Sequence, residues 1–206
     1  MKIHYAINYY NPQQKDRRKE IDRCLKGNIE LEEIDEIHLL IGPDVEVPKW
    51  AKISKVKIID IPIDRATYGQ FFEYAKQLEG IFVIANADIL CNASIKRLKD
   101  YVTEDQCVCL RRHDFCKEEK KWKLFRHNND SQDLWAVMAP PKDIPGDLDF
   151  QLGIPGCDNQ IAYLLMKVYK ARNPATKIAI KHEHHSDTHN YLNKRLRARV
   201  GRINVE

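Results

Sequence analysis

Carboxylate, amide and imidazole side chains follow two apolar stretches of this sequence, and they are the residues best suited to chemistry. The apolar run 81–85 leads directly into Asn86 and Asp88, whose side chains share one face of an extended chain because they lie two residues apart. Ligands of open α/β sheets bind beyond the carboxyl ends of the strands. An amide oxygen and a carboxylate there suit Mg²⁺ or Mn²⁺. Capping of a following helix is the alternative role, and the motif by itself favours neither.

A second group of candidate ligands is the histidine-rich segment 181–185, which ends the last predicted strand. His182 and His184 share a face by strand alternation, and imidazole binds Mn²⁺ or Zn²⁺ well. One of them, preferably His184, is expected to join Asp88 on a metal. A solvated strand end is the alternative. A purely zinc-binding site is disfavoured because no cysteine lies at matching spacing.

The segment 153–159 (GIPGCDN) combines two glycines and a proline in a tight loop that leads into a helix. Asp158 falls in the first turn of that helix, where the helix amino terminus stabilises an ionised carboxylate. The residue is either a general base raised into a cleft or a plain helix cap, and for an isolated Asp the cap is the commoner role.

Two further polar groups are weaker candidates. Arg65 precedes a helix that begins near Thr67, so its guanidinium and the backbone N–H groups of the helix could bind phosphate.

A sugar would suit the polar groups near the single tryptophan of the segment 131–135, because hydroxyls form hydrogen bonds and one sugar face stacks on a ring. The candidate sugar-binding residues are Arg112, Asp114, Gln132, Asp133 and Trp135. Solvated side chains and ordinary surface turns are the alternatives for both groups.

Composition excludes several classes of protein. The chain has 206 residues, 43% of them hydrophobic and 31% charged, which is typical of a globular protein and not of a disordered one. A net charge of +4 is too small to argue for nucleic-acid binding. No apolar run approaches the length of a membrane-spanning helix, and no signal peptide is recognisable, so a cytoplasmic location with reduced cysteines is expected.

Apolar and helical stretches alternate through the first half of the chain, which predicts an α/β sandwich with a largely parallel sheet. The predicted strands are 2–10, 34–42, 52–62 and 81–85, followed by 106–112, 121–127, 133–139 and 177–184. The predicted helices are 13–26, 67–77, 93–102 and 157–172. Cys107 and Cys109 alternate with apolar residues and are expected to face the core.

The order of these motifs resembles small bacterial and viral glycosyltransferase-like proteins of the GT-A fold, akin to glycosyltransferase family 2. The resemblance covers roughly residues 2–190, and its most specific pieces are GIPGCDNQIAY (153–163) and ANAD (85–88). It implies a three-layer α/β sandwich with a mixed, mainly parallel central sheet, which is the fold of nucleotide-diphospho-sugar transferases. It also implies one domain, 1–206, with a nucleotide-binding half 1–105, an acceptor and metal half 106–190 and a basic tail 191–206.

The resemblance further implies a metal-assisted and inverting glycosyltransferase that moves a sugar from a nucleotide-diphosphate sugar to an unidentified acceptor hydroxyl. The expected cofactor is Mn²⁺ or Mg²⁺, held by Asp88 with His184 or His182. Asn86 stands where such enzymes have a first carboxylate, so Asp88 is the expected direct ligand. Asp158 matches the acidic residue that acts as base. The residues expected to bind the donor are Asn8, Tyr9, Tyr10, Arg65, Tyr68, Asn86 and Asp88.

Three alternatives stay open at this point. A nucleotidyltransferase shares the sandwich but is expected to have a glycine-rich basic loop after the first strand, and residues 11–15 (NPQQK) lack the glycines. A non-catalytic nucleotide-sugar-binding homologue would fit the departure at Asn86. The basic segment 194–199 could contact an anionic surface or nucleic acid, although a solvated terminus is the commoner case.

Overall fold

The computed structural model describes residues 1–125, 131–184, 196 and 201–206. His185 and most of the predicted basic tail lie outside these ranges. No helix among the described residues has the length and apolar character needed to cross a bilayer.

The described residues form three α-helices and eleven strands. The helices are α1 (Lys15–Glu30), α2 (Tyr68–Ala75) and α3 (Cys157–Leu165). The strands of the first half are β1 (Ile3–Tyr9), β2 (Glu36–Ile41), β3 (Val56–Asp60), β4 (Gly80–Ala85) and β5 (Ile89–Cys91). Those of the second half are β6 (Gln106–Leu110), β7 (His113–Cys116), β8 (Lys121–Leu124), β9 (Leu134–Ala139), β10 (Lys170–Arg172) and β11 (Ile180–His182). Short 3₁₀ helices cover Lys49–Ala51 and Ala93–Asp100.

The central sheet has seven strands in the order β10-β6-β9-β4-β1-β2-β3. Strand β9 runs antiparallel to both of its neighbours, and the other four pairings are parallel. The carboxyl ends of the parallel strands and the beginning of β9 therefore lie at one edge of the sheet. This mixed, mainly parallel sheet confirms the predicted fold class.

Each face of the central sheet packs against a separate apolar layer. On one face, side chains of β1 such as Ile3 and Ile7 pack with Ile21 and Leu25 of α1 and with residues of the small sheet. On the other face, the helices α2 and α3 cover the sheet. The buried side chains of that second core include Phe71, Phe82, Cys107, Cys109, Trp135 and Ile161. The molecule is thus the expected three-layer sandwich, and the two cysteines of β6 face its core.

A second, four-stranded sheet in the order β5-β11-β7-β8 lies at the carboxyl edge. The sequence predicts one strand over 106–112. In the structure β6 ends at Leu110, and β7, which belongs to the other sheet, begins at His113. The predicted helix 157–172 ends at Leu165, because Lys170–Arg172 pairs with β6 as an edge strand. The predicted helix 93–102 is a 3₁₀ helix. In each case pairing or packing with distant residues overrides the local pattern.

Candidate active-site cleft

A cleft of about 200 Å³ lies at the carboxyl edge of the central sheet. It collects side chains from the ends of β1 and β4, from α1, from the segments after β3 and β6, and from the small sheet. Its lining residues are Asn8, Tyr10, Arg17, Arg65, Asn86, Ala87, Asp88, Arg112, Asp133, Leu152, Gly153, His182 and His184. Of the fifteen side chains singled out in the sequence, nine line this cleft.

Asp88 is the most heavily engaged group of the cleft. Its side chain is buried, and its Oδ2 accepts hydrogen bonds from Arg17 Nη2 at 2.5 Å and from His182 Nε2 at 3.1 Å. Its backbone carbonyl accepts from the N–H of Glu183, which ties the segment after β4 to β11. Burial by itself would raise the pKa of Asp88, but His182 and Arg17 outweigh it and hold that pKa well below its ordinary value.

A chain of alternating charges extends from Asp88 across the cleft. His182 Nδ1 lies 3.2 Å from Asp114 Oδ1, Asp114 accepts from Arg112, and Arg112 Nη1 donates to both oxygens of Asp133 at 3.1 Å. The amide of Asn86 donates to Asp133 as well. Burial disfavours the charged imidazole of His182, yet Asp88 and Asp114 together raise the pKa of His182 to about 9. The imidazole is therefore held protonated at neutral pH.

Three donor atoms of the cleft fit a divalent cation. Asp88 Oδ2 lies 3.1 Å from His182 Nε2 and 3.7 Å from His184 Nδ1. These atoms form a group compact enough to hold one ion, and two imidazoles with a carboxylate suit Mn²⁺ or Zn²⁺. Arg17 binds the same carboxylate oxygen, and His182 carries a proton. A cation at this position therefore competes with a guanidinium and with a proton.

Three guanidinium groups line the cleft, and they are the groups best suited to phosphate. Those of Arg17 and Arg112 are bound to carboxylates, as described above. The third, Arg65, lies with its Cζ 5.0 Å from the centroid of the Tyr10 ring. Gly153 makes room for it, since a Cβ on Gly153 would lie 3.2 Å from Arg65 Nη1, and the residue has a φ of 85°. The predicted helix start at Thr67 is confirmed by a capping box with Gln70.

Three aromatic residues singled out in the sequence lie in the core instead of the cleft. Tyr9 is fully buried, and its hydroxyl donates to Asp22. Tyr68 packs against Trp135 with ring centroids 5.4 Å apart. Trp135 is only 1% exposed, so neither face of its ring is available for stacking on a sugar. Local sequence did not reveal this, because alternation along β9 does not tell which face of the sheet is covered.

Two polar candidates also stand apart from the cleft lining. Gln132 is buried, and its side-chain amide has no hydrogen-bond partner among the described residues. Asp158 is half-buried in the first turn of α3, five residues after Gly153, and its charge acts on the neighbouring Cys157 and Tyr68. The described lining of the cleft does not include it.

Sequence reasoning missed Arg17, Leu152 and Gly153 as cleft residues. Gly153 belongs to the glycine-rich segment 153–159, so that motif already carried a signal. Arg17 is one of several cationic residues in the segment 15–19 (KDRRK), and nothing in the sequence separates the buried one from the others. Its 7% exposure and its bond to Asp88 distinguish it only in the folded chain.

No family model matches this sequence, and no curated protein is significantly similar to it. Among solved structures, HddC from Yersinia pseudotuberculosis is similar with a TM-score of 0.52 at 14% identity, over 87% of this chain and 92% of that one. The structure of HddC complexed with GMP-PN gives a TM-score of 0.52 at 15% identity, over 89% and 94% of the two chains. At this identity the similarity establishes the fold alone, and it agrees with the GT-A-like sandwich expected from the sequence.

Weaker similarity extends to other solved structures. The 4-diphosphocytidyl-2C-methyl-D-erythritolsynthase from Anaerococcus prevotii gives a TM-score of 0.48 at 13% identity, over 84% of this chain and 86% of that one. For S. aureus TarS in complex with UDP-GlcNAc, the TM-score is 0.38 at 13% identity, and the match covers 64% of this chain and 39% of that one.

Proposed function

We propose that this protein is a transferase that uses a nucleotide-diphosphate sugar and moves the sugar to an acceptor hydroxyl. The observation that carries the proposal is the cleft at the carboxyl edge of the sheet, where Arg17, Arg65 and Arg112 surround the group Asp88, His182 and His184. A nucleotide complex is known for HddC, which has a similar fold, and this supports a nucleotide as the ligand.

The diphosphate of the donor is assigned to the guanidinium side of the cleft. Arg65 with Tyr10 forms a cationic and aromatic pair that would hold a phosphate next to the base or ribose. Asn8 lies at the end of β1, and its amide donates to the carbonyl of Leu40, which fixes its side chain at the cleft. We therefore propose that the nucleoside binds near Asn8 and Tyr10.

The residues Asp88, His182 and His184 are proposed as the holders of a divalent cation, Mn²⁺ or Mg²⁺. Such a cation supplies positive charge that stabilises a departing diphosphate. In its absence, the protonated imidazole of His182 and the guanidinium of Arg17 place two positive charges at the same position. Arg17 binds Asp88 in this structure, and in the proposed complex it would bind the diphosphate of the donor.

Transfer requires a base for the acceptor hydroxyl. We assign this role to Asp158, which lies in the first turn of α3, five residues after the cleft residue Gly153, where the helix amino terminus stabilises an ionised carboxylate. The proton of the hydroxyl passes to Asp158, the hydroxyl oxygen forms a bond to the anomeric carbon, and the bond from that carbon to the diphosphate oxygen breaks. Attack from the face opposite the leaving group inverts the anomeric centre.

A nucleotidyltransferase is the second candidate, and the complex of HddC with GMP-PN favours it. Its reaction differs in the bond that breaks, since an oxygen of a sugar phosphate would form a bond to the α-phosphorus of a nucleoside triphosphate while the bond from that phosphorus to the departing pyrophosphate breaks. The loop 11–14 between β1 and α1 has no glycine to wrap a triphosphate, which weighs against this candidate, whereas the similarity of the fold to HddC weighs for it.

Product analysis distinguishes the two reactions. The protein is incubated with UDP-, GDP- and CDP-sugars, and separately with nucleoside triphosphates and sugar 1-phosphates, each with Mn²⁺ or Mg²⁺. Sugar transfer or donor hydrolysis releases a nucleoside diphosphate, whereas nucleotidyl transfer releases pyrophosphate. Release of neither product, together with no nucleotide binding, would contradict the proposal.

Variants locate the activity in the cleft. Arg65→Gln is expected to weaken donor binding at least tenfold, because one charge-assisted phosphate contact is lost. Arg97→Gln, an exposed residue of the 3₁₀ helix 93–100, makes the same change away from the cleft and is expected to leave binding unaltered. Asp158→Asn is expected to lower turnover while donor affinity is retained. Equal effects of the two arginine variants would remove the nucleotide from this cleft.

A further inference from the structure

A second group of histidine and carboxylate side chains lies at the opposite end of the sheet from the cleft. His4 stands near the beginning of β1, and Glu36 and His38 stand at the beginning of β2. The parallel register pairs His4 with Glu36 and thereby brings the three side chains together. Nothing in the proposed transferase reaction uses them.

Three electron-donating atoms converge in this group. His4 Nδ1 lies 3.1 Å from His38 Nε2 and 3.2 Å from Glu36 Oε2, and His38 Nε2 lies 3.7 Å from the same oxygen. Ligand atoms about 2.0–2.1 Å from a tetrahedral Zn²⁺ are separated from one another by roughly 3.3 Å. Two of the three distances between the donor atoms are slightly shorter than this expected separation, and the third is slightly longer.

The outer nitrogen of each imidazole has a partner that leaves the inner nitrogen able to bind a metal. His4 Nε2 lies 3.1 Å from the backbone carbonyl of Glu79, which only accepts, so His4 Nε2 donates there and Nδ1 is the nitrogen directed at Glu36 and His38. His38 Nδ1 lies 2.9 Å from the hydroxyl oxygen of Tyr74. Outer partners of this kind orient metal-binding imidazoles in proteins.

The burial and the charged surroundings of the group also bear on cation binding. His38 is 1% exposed, so water does not compete freely for its inner nitrogen. Glu36 is partly exposed and contributes one negative charge, while Lys2 lies 3.7 Å from its other oxygen, Oε1. Lys57 also acts on His38 by its charge. The oxygen Oε2 remains directed at the two ring nitrogens.

We propose that His4, Glu36 and His38 form a Zn²⁺ site at the amino ends of β1 and β2, with the fourth position left to a water molecule. Two imidazoles and one carboxylate form a donor set that zinc accepts. Because the ligands come from two strands and their outer partners from α2 and the segment before β4, the ion would hold these elements together. The site is independent of the transferase proposal.

Zinc binding is measured by competition with a chromophoric chelator, in a His184→Gln background that weakens the cleft group. We expect one Zn²⁺ per chain in this background. Adding Glu36→Gln is expected to weaken that binding at least tenfold, whereas Glu32→Gln, an exposed residue with the same change of charge, leaves it unaltered. Glu36 is partly exposed, so its replacement is compatible with folding, which circular dichroism checks.

A second readout separates metal binding from structural effects. In protein labelled with ¹⁵N at histidine, Zn²⁺ is expected to shift the resonances of His4 Nδ1 and His38 Nε2, the two inner nitrogens. Absence of zinc binding in the His184→Gln background would overturn the proposal, and so would binding that is insensitive to Glu36→Gln. Unchanged inner-nitrogen resonances upon zinc addition would overturn it as well; the buried rings would then be joined only by hydrogen bonds.

Discussion

Two groups of one carboxylate and two imidazoles lie at opposite ends of the parallel strands. The cleft group, at the carboxyl ends, consists of Asp88, His182 and His184, and the amino-end group consists of His4, Glu36 and His38. At the carboxyl ends, Asp88 binds Arg17 and a His182 whose pKa is raised to about 9. At the amino ends, His38 has a pKa lowered to about 4, and the outer partners of its ring and that of His4 are a hydroxyl and a carbonyl. The two groups therefore differ because Asp88 and Asp114 outweigh burial at His182, whereas burial outweighs Glu36 at His38.

This difference has a functional meaning. The cleft group already carries positive charge, namely a proton on His182 and the guanidinium of Arg17, and in the proposed transferase these charges would face a phosphate group or give way to a metal ion. In the amino-end group His38 is neutral and Glu36 supplies a negative charge, and the proposed Zn²⁺ would bind all three inner donor atoms. The first arrangement suits a site that binds and releases a ligand, and the second suits a site that keeps one ion.

Replacing the carboxylate is expected to have its largest effect in the cleft. Asp88→Asn removes the charged partner that Arg17 and His182 share and leaves each buried cation with one other carboxylate, Glu20 or Asp114, which we expect to lower the free energy of unfolding by about 3–5 kcal/mol. Chemical denaturation of the metal-free protein measures this value. The exposed Asp149→Asn is the control and is expected to change little.

The equivalent change at the amino end sharpens the comparison. Glu36→Gln in metal-free protein is expected to lower the free energy of unfolding by less than about 1 kcal/mol, because Glu36 is partly exposed and His38 is neutral. A loss as large as that of Asp88→Asn would mean that the amino-end imidazoles are charged, and the comparison would then fail.

Zinc is expected to stabilise the protein through the amino-end group. At a free zinc concentration 100 times the dissociation constant, binding contributes about 2.7 kcal/mol. For a chain of this size that corresponds to a rise in Tm of roughly 5–10 °C. Thermal unfolding in the His184→Gln background, with and without Glu36→Gln, measures the rise. A shift that survives Glu36→Gln would assign the stabilising ion to another place.

The pKa values of His182 and His38 are expected to lie on opposite sides of the ordinary value of 6.5, with that of His182 above it and that of His38 below it. His182 has a raised pKa, so its contribution to stability is present below pH 6.5 and is lost as the pH rises through about 9. His38 has a lowered pKa, so the folded protein loses stability relative to the unfolded chain as the pH falls from 6.5 towards 4. Histidine ¹⁵N resonances of the metal-free protein, recorded between pH 4 and 9.5, follow both titrations. Midpoints near 6.5 for both rings would contradict the contrast.

The smallest expected effect concerns an outer partner. Tyr74→Phe removes the hydroxyl next to His38 Nδ1 and retains the ring, so we expect a loss of about 1 kcal/mol in the free energy of unfolding. Denaturant titration measures it, and Tyr163→Phe, on a half-buried ring of α3, is a control for the loss of a tyrosine hydroxyl.

The sequence predicted the fold and part of the cleft for local reasons. The apolar run before Asn86 and Asp88 and the alternation at His182 and His184 both place polar groups at strand ends, where the topology of a parallel sheet gathers them. Arg17 could not be predicted, because its burial depends on how α1 packs on the sheet. The covered ring of Trp135 depends likewise on the helices that pack over β9.

The amino-end group was invisible in the sequence for a different reason. His4 and Glu36 are 32 residues apart, and only the register of β1 against β2 places them side by side. Register is set by the burial of both strands and by the connection between them. A short apolar strand with one histidine gives no sign of which residue will lie opposite.

The central claim, that the cleft binds a nucleoside diphosphate and the amino end does not, has one direct measurement. Protein labelled with ¹⁵N at histidine is titrated with UDP and with GDP in the presence of Mg²⁺. The account predicts that the ring resonances of His182 and His184 shift with at least one of them, while those of His4 and His38 stay unchanged. Unchanged cleft resonances, or shifts confined to the amino-end pair, would contradict it.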